Sequence, residues 1–247
     1  MTMCFTVAIV RKGELITAQE YYSSLPVVSK SGASIPELPY HFLVSGFSHP
    51  RLAIVKQDSV SLSEWGLIPS WVKDQKTAED IHSKTLNAVG ETVFEKPSFR
   101  KSIVSQRCLL PVSGFYEWRE VNGVKYPYYI QLKEQDYFSL GSIYDTWINK
   151  DTGEIRNTFS IITTSANPFM AKIHNLKKRM PLILSPEDQL KWLEPDLKTE
   201  HIKELIKPFS QTEMKAYTIS RSASNPRYNR DVPEIMEKVE YAELQKI

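Results

Sequence analysis

Cys4 follows only Met1, Thr2 and Met3, and that position matters more than the residue type. At the start of an apolar run a cysteine is ordinarily a small buried hydrophobe. With the three preceding residues absent, Cys4 instead carries a thiol and an α-amine on adjacent carbons. An α-amine titrates at about 8 and is partly neutral at physiological pH, whereas a lysine amine at about 10.4 is not. It therefore attacks an aldehyde without a specialised pocket. Thiol addition to the resulting imine closes a five-membered thiazolidine, and this intramolecular step gains from a high effective molarity. Buried filler and nucleophile are both open readings of Cys4 at this point.

Three further places combine suitable residue types. Glu117 lies in Gly114-Phe115-Tyr116-Glu117-Trp118, where burial among aromatics would raise its pKa and suit it to proton transfer. Strand alternation equally allows that carboxylate to face solvent. His174 is followed by Asn175-Leu176-Lys177-Lys178-Arg179-Met180-Pro181. Three neighbouring cations would lower its pKa and keep it neutral; as a helix-terminal histidine it could also serve as a cap. Trp65 and Trp71 bracket Gly66-Leu67-Ile68-Pro69-Ser70. They are able to stack on unpaired bases or to anchor the loop, and anchoring is preferred for Trp65. His41, His49, His82 and His201 have no comparable setting, and no histidine–carboxylate spacing suits a metal. The sequence predicts no metal and no other cofactor.

The elements that position these groups read as α+β. Strand-like runs cover Cys4 to Val10, Phe42 to Phe47, Leu52 to Lys56, Cys108 to Trp118, Tyr126 to Leu132, Tyr137 to Ile148, Ile155 to Thr164 and Lys215 to Ser220. Asn122-Gly123 is a two-residue hairpin signal, and Lys150-Asp151-Thr152-Gly153 closes the next hairpin. Helical patterns span Thr17 to Ser23, Thr77 to Lys84, Ser98 to Ser105, Pro168 to His174, Pro186 to Leu193 and Thr199 to Ile206. Meandering strands with interspersed helices argue against a parallel βαβ sheet. With no Gly/Ser-rich or Pro-rich linker, residues 1–247 read as a single domain.

Hydrophobic and charged fractions of 41% and 24% are those of a soluble protein able to bury a core. The opening residues lack the features of a secretory signal, and no apolar run approaches the roughly 18 residues of a membrane helix, so a cytoplasmic protein is expected. Two cysteines, Cys4 and Cys108, make no disulfide framework. The net charge of +2 is unevenly spread. Lys96 to Tyr116, Arg156 to Pro186 and Met214 to Arg230 contain no acid and hold 13 of the 31 basic residues, leaving 18 against 29 acids elsewhere. Gathered in space, these windows would attract a phosphate backbone; scattered, they are merely solvated.

Trp65 to Trp71, Asn87-Ala88, Gly114 to Trp118 and His174 with Arg179-Met180-Pro181 follow the early cysteine in a familiar order. The chain resembles the SRAP family (SOS response-associated peptidases, abasic site processing proteins) from Cys4 to the Asn225-Pro226-Arg227 region. The resemblance implies curved, barrel-like antiparallel sheets flanked by helices, and catalytic groups facing a basic groove for single-stranded DNA. It implies a protein that removes the residues ahead of its cysteine and crosslinks covalently to abasic sites as a thiazolidine; separately from the resemblance, a monomer is expected. On that basis Cys4 is the nucleophile and Asn87 holds the α-amine or a sugar oxygen. Glu117 shuttles protons during imine formation and peptide removal, and His174 assists sugar ring opening and crosslink reversal.

The departures from the family pattern carry their own expectations. Members usually begin Met-Cys, so either Met3 is the start here or three residues must be removed. Phe5 and Thr6 stand where many members read Gly-Arg after the cysteine, and Val89 stands where many read Arg after Asn-Ala. Lys96, Arg100, Lys101 and Arg179 are the candidates to replace the missing phosphate contacts, with Trp71 as the stacking residue. The segment Leu176 to Lys178 stretches the His-x-Arg-Met-Pro pattern. Two rivals remain: a general cysteine peptidase built on Cys4 and His174, and a non-catalytic single-stranded DNA binder.

Overall fold

The structure, a computed structural model, describes residues 5–9, 16–25, 28–29, 32, 34–37 and 40–244. The strands are β1 (Thr6–Ala8), β2 (Val44–Ser45), β3 (Arg51–Val55), β4 (Val60–Trp65), β5 (Asn87–Val89), β6 (Arg107–Val112), β7 (Gly114–Val121), β8 (Val124–Leu132), β9 (Phe138–Ile148), β10 (Ile155–Ser165), β11 (Arg179–Pro181), β12 (Ile183–Leu184) and β13 (Met214–Thr218). The helices are α1 (Ile16–Ser24), α2 (Gln75–His82), α3 (Ser102–Ser105), α4 (Pro168–Ile173), α5 (Pro186–Leu193) and α6 (Thr199–Leu205). Among the described residues no helix is long and apolar enough to cross a membrane.

Asn122 and Gly123 take left-handed φ angles of 52° and 78°, as a two-residue hairpin turn requires. They set β7 against β8 with Val121 opposite Val124. This hairpin is the centre of a sheet ordered β13-β8-β7-β1-β2. The second hairpin joins β9 and β10, the longest strands, which pair from Ile148–Ile155 to Ser142–Ile161. Their length lets each reach two neighbours. β10 continues to β4, β4 to β3, β3 to β6 and β6 back to β9, so five strands close into a barrel. Closure removes the exposed edges that an open sheet would leave. Pairing is antiparallel except where β10 runs parallel to β4 and β5.

Alternate residues of the barrel strands divide between two cores. Leu52, Ile54, Cys108, Leu110, Phe159 and Ile161 join a cluster with Phe115, Tyr128 and Ile130 of the five-stranded sheet. Ala53, Val55, Leu109, Ile143 and Ile162 instead pack beneath Tyr22, Trp192 and Ile202 of α1, α5 and α6. This is the period-two patterning expected of sheets covered on both sides.

One expectation is corrected. Cys108 to Trp118 is not one strand but two, in different sheets, because the chain crosses from barrel to sheet at Ser113. There the Ser113 N–H donates to Ala8 O at 2.9 Å, and its hydroxyl meets the Tyr129 hydroxyl at 3.2 Å. β4, β5, β11 and β12 have no counterpart among the expected strands.

The loop after β4 is fixed at successive points. Buried Trp65 donates its indole N–H to Leu86 O at 2.8 Å, the anchoring role. The Ile68 N–H donates to Thr158 Oγ1, the Ser70 N–H to Asp145 Oδ2, and the Trp147 indole to Val72 O, each within 2.9 Å. Beneath this loop His82 is buried, stacked 3.9 Å from His49 and beside Arg156. Burial first, then the nearby positive groups, push its pKa down to about 3. The unfolded chain therefore binds an extra proton between about pH 3 and 6.5, and the associated stability, present above pH 6.5, is lost as pH falls through that window. We expect denaturant midpoints to fall on acidification, with His82 supplying at most about 1.4 kcal/mol per pH unit. His82→Leu should flatten that slope relative to the wild type, whatever its stability at pH 7. Parallel slopes for the two proteins would refute the assignment.

Candidate active site

Glu117 and His174 come from elements far apart in sequence. Glu117 lies on β7 opposite Tyr128 and is 2% exposed. His174 ends α4, a helix that packs on β7 and starts with a side-chain cap from Asn167 to the Met170 N–H at 2.8 Å. Its Nδ1 stands 3.7 Å from Glu117 Oε1 and 3.0 Å from Arg179 O. A carbonyl only accepts, so Nδ1 carries the proton, and in neutral imidazole Nε2 is the basic nitrogen. Asn175 clamps the turn to β7, accepting from the Glu120 N–H at 3.0 Å and donating to Glu120 O at 2.7 Å. A narrow cleft lined by Glu117, Trp118, Glu120, Lys125, His174 and Leu176 opens beside the pair.

The segment Leu176 to Lys178 forms a closed turn. Lys178 adopts a φ of 49°, its N–H donates to His174 O at 2.8 Å, and its carbonyl accepts from the Ala166 N–H. The excursion thus returns the chain to β11 with Arg179 still bonded to His174.

Asn87 is buried on β5, opposite Ile161 on the edge of β10 that β4 also uses. From there the chain passes Glu91 and winds through turns to α3, carrying Lys96, Arg100 and Lys101 on its exposed side. Trp71, 50% exposed, leans on this segment through its indole N–H to Pro97 O at 3.3 Å, and Lys101 Nζ donates to Ser70 Oγ at 3.2 Å. The four residues form an exposed aromatic set among cations.

Arg179 is placed differently. Its guanidinium makes a two-pronged pair with Glu91 at 2.6 and 2.8 Å and also donates to Thr163 O at 2.8 Å. That arginine holds the Glu91 carboxyl below its usual range. Glu91, Asn175 and Asp145 were not singled out in the sequence. The Glu91–Arg179 contact spans 88 residues, and no local pattern encodes it.

The two cysteines separate sharply. Cys108 is fully buried, and burial pushes its thiol up, away from thiolate chemistry. Cys4 lies outside the described residues, which begin at Phe5, just before β1. β1 runs antiparallel to β7 with Val7 opposite Phe115 and Ala8 opposite Gly114, a register that carries Phe5 toward Glu117.

Fold and site define an α+β barrel protein whose buried carboxylate and imidazole lie beside the strand leading from the amino end. The chain belongs to the SOS response associated peptidase (SRAP) family, whose sequence model matches residues 5–226. It is 40% identical over 210 residues to the abasic site processing protein YoqW of Bacillus subtilis, covering 79% of this chain and 89% of that one. It is 31% identical over 192 residues to the abasic site processing protein HMCES of Xenopus tropicalis, covering 70% and 55% respectively. A crystal structure of a Bacteroides thetaiotaomicron protein matches with a TM-score of 0.84 and 40% identity over 96% of this chain and all of that one. A Bordetella bronchiseptica protein shares the fold at a TM-score of 0.71 and 20% identity, covering 88% of this chain and all of that one.

Proposed function

We propose that this chain recognises abasic sites in single-stranded DNA and links to them covalently through Cys4, once hydrolysis of the Met3–Cys4 peptide bond has freed its α-amine. The observation that carries the reading is the buried Glu117–His174 pair, 3.7 Å apart, whose Glu117 lies on the strand that neighbours the one leading back to Cys4. The relatives' names, abasic site processing proteins, supply the target.

In this reading the Cys4 amine adds to C1′ of the ring-opened sugar, and water leaves to give an imine. The thiol sulfur then bonds to that carbon while a proton moves to the nitrogen. Glu117 gives and takes the protons of these steps and of peptide hydrolysis. His174 acts on the sugar hydroxyl during ring opening and reversal, and Asn87 orients the amine or the sugar oxygen. Trp71 stacks on an unpaired base, and Lys96, Arg100 and Lys101 attract the phosphates. Arg179, committed to Glu91 and Thr163, enters this reading as the backbone acceptor for the His174 Nδ1–H rather than as a phosphate contact.

The test is a denaturing gel of protein with Cys4 exposed, verified by intact mass, after incubation with an oligonucleotide containing one abasic site. A shifted band is expected, absent in Cys4→Ala and weak or labile in Cys4→Ser, because a hydroxyl closes the ring less readily. Equal adduct from wild type and Cys4→Ala would end the proposal. Cleavage of unrelated peptides without adduct would favour a general peptidase, and salt-sensitive binding without adduct a plain binder.

A further inference from the structure

Phe47 is 62% exposed, yet its turn is held as firmly as a core element. Ser45 Oγ accepts from the Phe47 N–H at 3.4 Å, and the Ser48 hydroxyl donates to Ser45 O at 2.7 Å. His49 closes the turn in the left-handed conformation, its N–H on Gly46 O at 2.9 Å. The His49 ring donates to Trp65 O at 2.7 Å and stacks on buried His82. Gly46 lies flat on the Trp65 indole, where an added Cβ would sit 3.0 Å from the ring, and its N–H donates to Phe5 O at 2.7 Å. The turn thus holds the Phe47 backbone in place, and its exposed ring lies 4.7 Å from that of Phe5, tilted by 54°.

A single exposed aromatic on a protein surface needs no explanation, but this one is neither isolated nor remote. Phe5 directly follows Cys4 in sequence, and the β1–β7 register carries it toward Glu117. The pair therefore borders the proposed reaction site on the side of β2. A nucleobase beside an abasic sugar has lost one stacking partner and offers a bare π face to any rigid ring within reach. A preorganised aromatic meets that face with little loss of side-chain freedom.

We propose that Phe5 and Phe47 form a stacking platform for a nucleobase that flanks the abasic sugar. The proposal rests on the abasic-site reading and adds to it the residues that grip the neighbouring base. The test uses oligonucleotides with a tetrahydrofuran abasic analogue, which has no aldehyde, and 2-aminopurine on its 5′ or its 3′ side. Quenching on one of the two sides is expected with wild-type protein, lost in Phe47→Ala and kept in Phe47→Trp. Affinity of Phe47→Ala should fall about 10-fold, the size of one lost stacking contact. Because Phe47 is exposed, its melting transition should match that of the wild type. Wild-type protein that crosslinks to genuine abasic DNA but quenches on neither side, or Phe47→Ala that quenches and binds like wild type, overturns the platform alone. Failure of the wild type to crosslink overturns the abasic-site reading and the platform together.

Discussion

Glu117→Gln is expected to slow adduct formation about 100-fold or more, the usual range for loss of a positioned proton donor and acceptor. Its affinity for DNA containing the tetrahydrofuran analogue should stay within about 2-fold of wild type, because Glu117 is 2% exposed and makes no part of the outer cationic surface. The physical reason lies in the leaving group. A carbinolamine becomes an imine only if its hydroxyl departs as water, and water is a good leaving group only when a proton arrives with it. Gln keeps the shape and hydrogen-bonding capacity of Glu but has no proton to exchange. Single-turnover rates read from gel-shifted adduct, alongside equilibrium binding, check both halves. Equal rates for the two proteins would remove Glu117 from the chemistry, and a matching loss of binding would make its role structural.

Much of this arrangement was legible in the sequence, and the illegible part has a common cause. The hairpin at Asn122-Gly123 was legible because left-handed φ values demand particular residues, and helix starts such as Asn167-Pro168 were legible because caps do. The barrel was legible only through the family resemblance and not from the residue pattern, because closure depends on β9 and β10 reaching further strands on both edges, which is a matter of strand length and twist. Strands of two or three residues, such as β5 and β11, are too short for any periodicity. Glu117 and His174 stood out by residue type and by family resemblance, but their approach to 3.7 Å depends on Asn175 clamping one turn to β7.

The basic windows show the same limit. Runs without acids suggest a cationic surface, yet three arginines from two of these runs are spent internally. Arg156 pairs with Glu64 and Glu79, Arg179 with Glu91, and Arg107 is buried. Lys96, Arg100 and Lys101, in contrast, are exposed beside Trp71. The uneven charge of the sequence is therefore only partly a surface property, since acids distant in sequence neutralise cations that the windows counted as free.

Arg107→Met should lower unfolding free energy by about 3–5 kcal/mol, because several buried carbonyls lose their charged donor at about 1–3 kcal/mol for each group left unsatisfied. Arg107 is 5% exposed, and its guanidinium donates to Trp192 O at 2.8 Å, Ile103 O at 3.0 Å, Val104 O and Glu194 O. These carbonyls lie in and around the ends of α3 and α5, where helices leave acceptors without intrahelical donors and carry partial negative charge. One cation therefore caps two helices and ties both to β6, the strand that carries Cys108. Met fills similar space but supplies no donor, so the desolvated carbonyls lose their partners. Lys keeps the charge without the planar fork, and Arg107→Lys should recover only part of the loss. Urea denaturation of the three proteins checks the order. Because this network stands apart from Glu117 and His174, the folded fraction of Arg107→Lys should crosslink at the wild-type rate. A Met variant as stable as wild type would show that the helix ends find other donors.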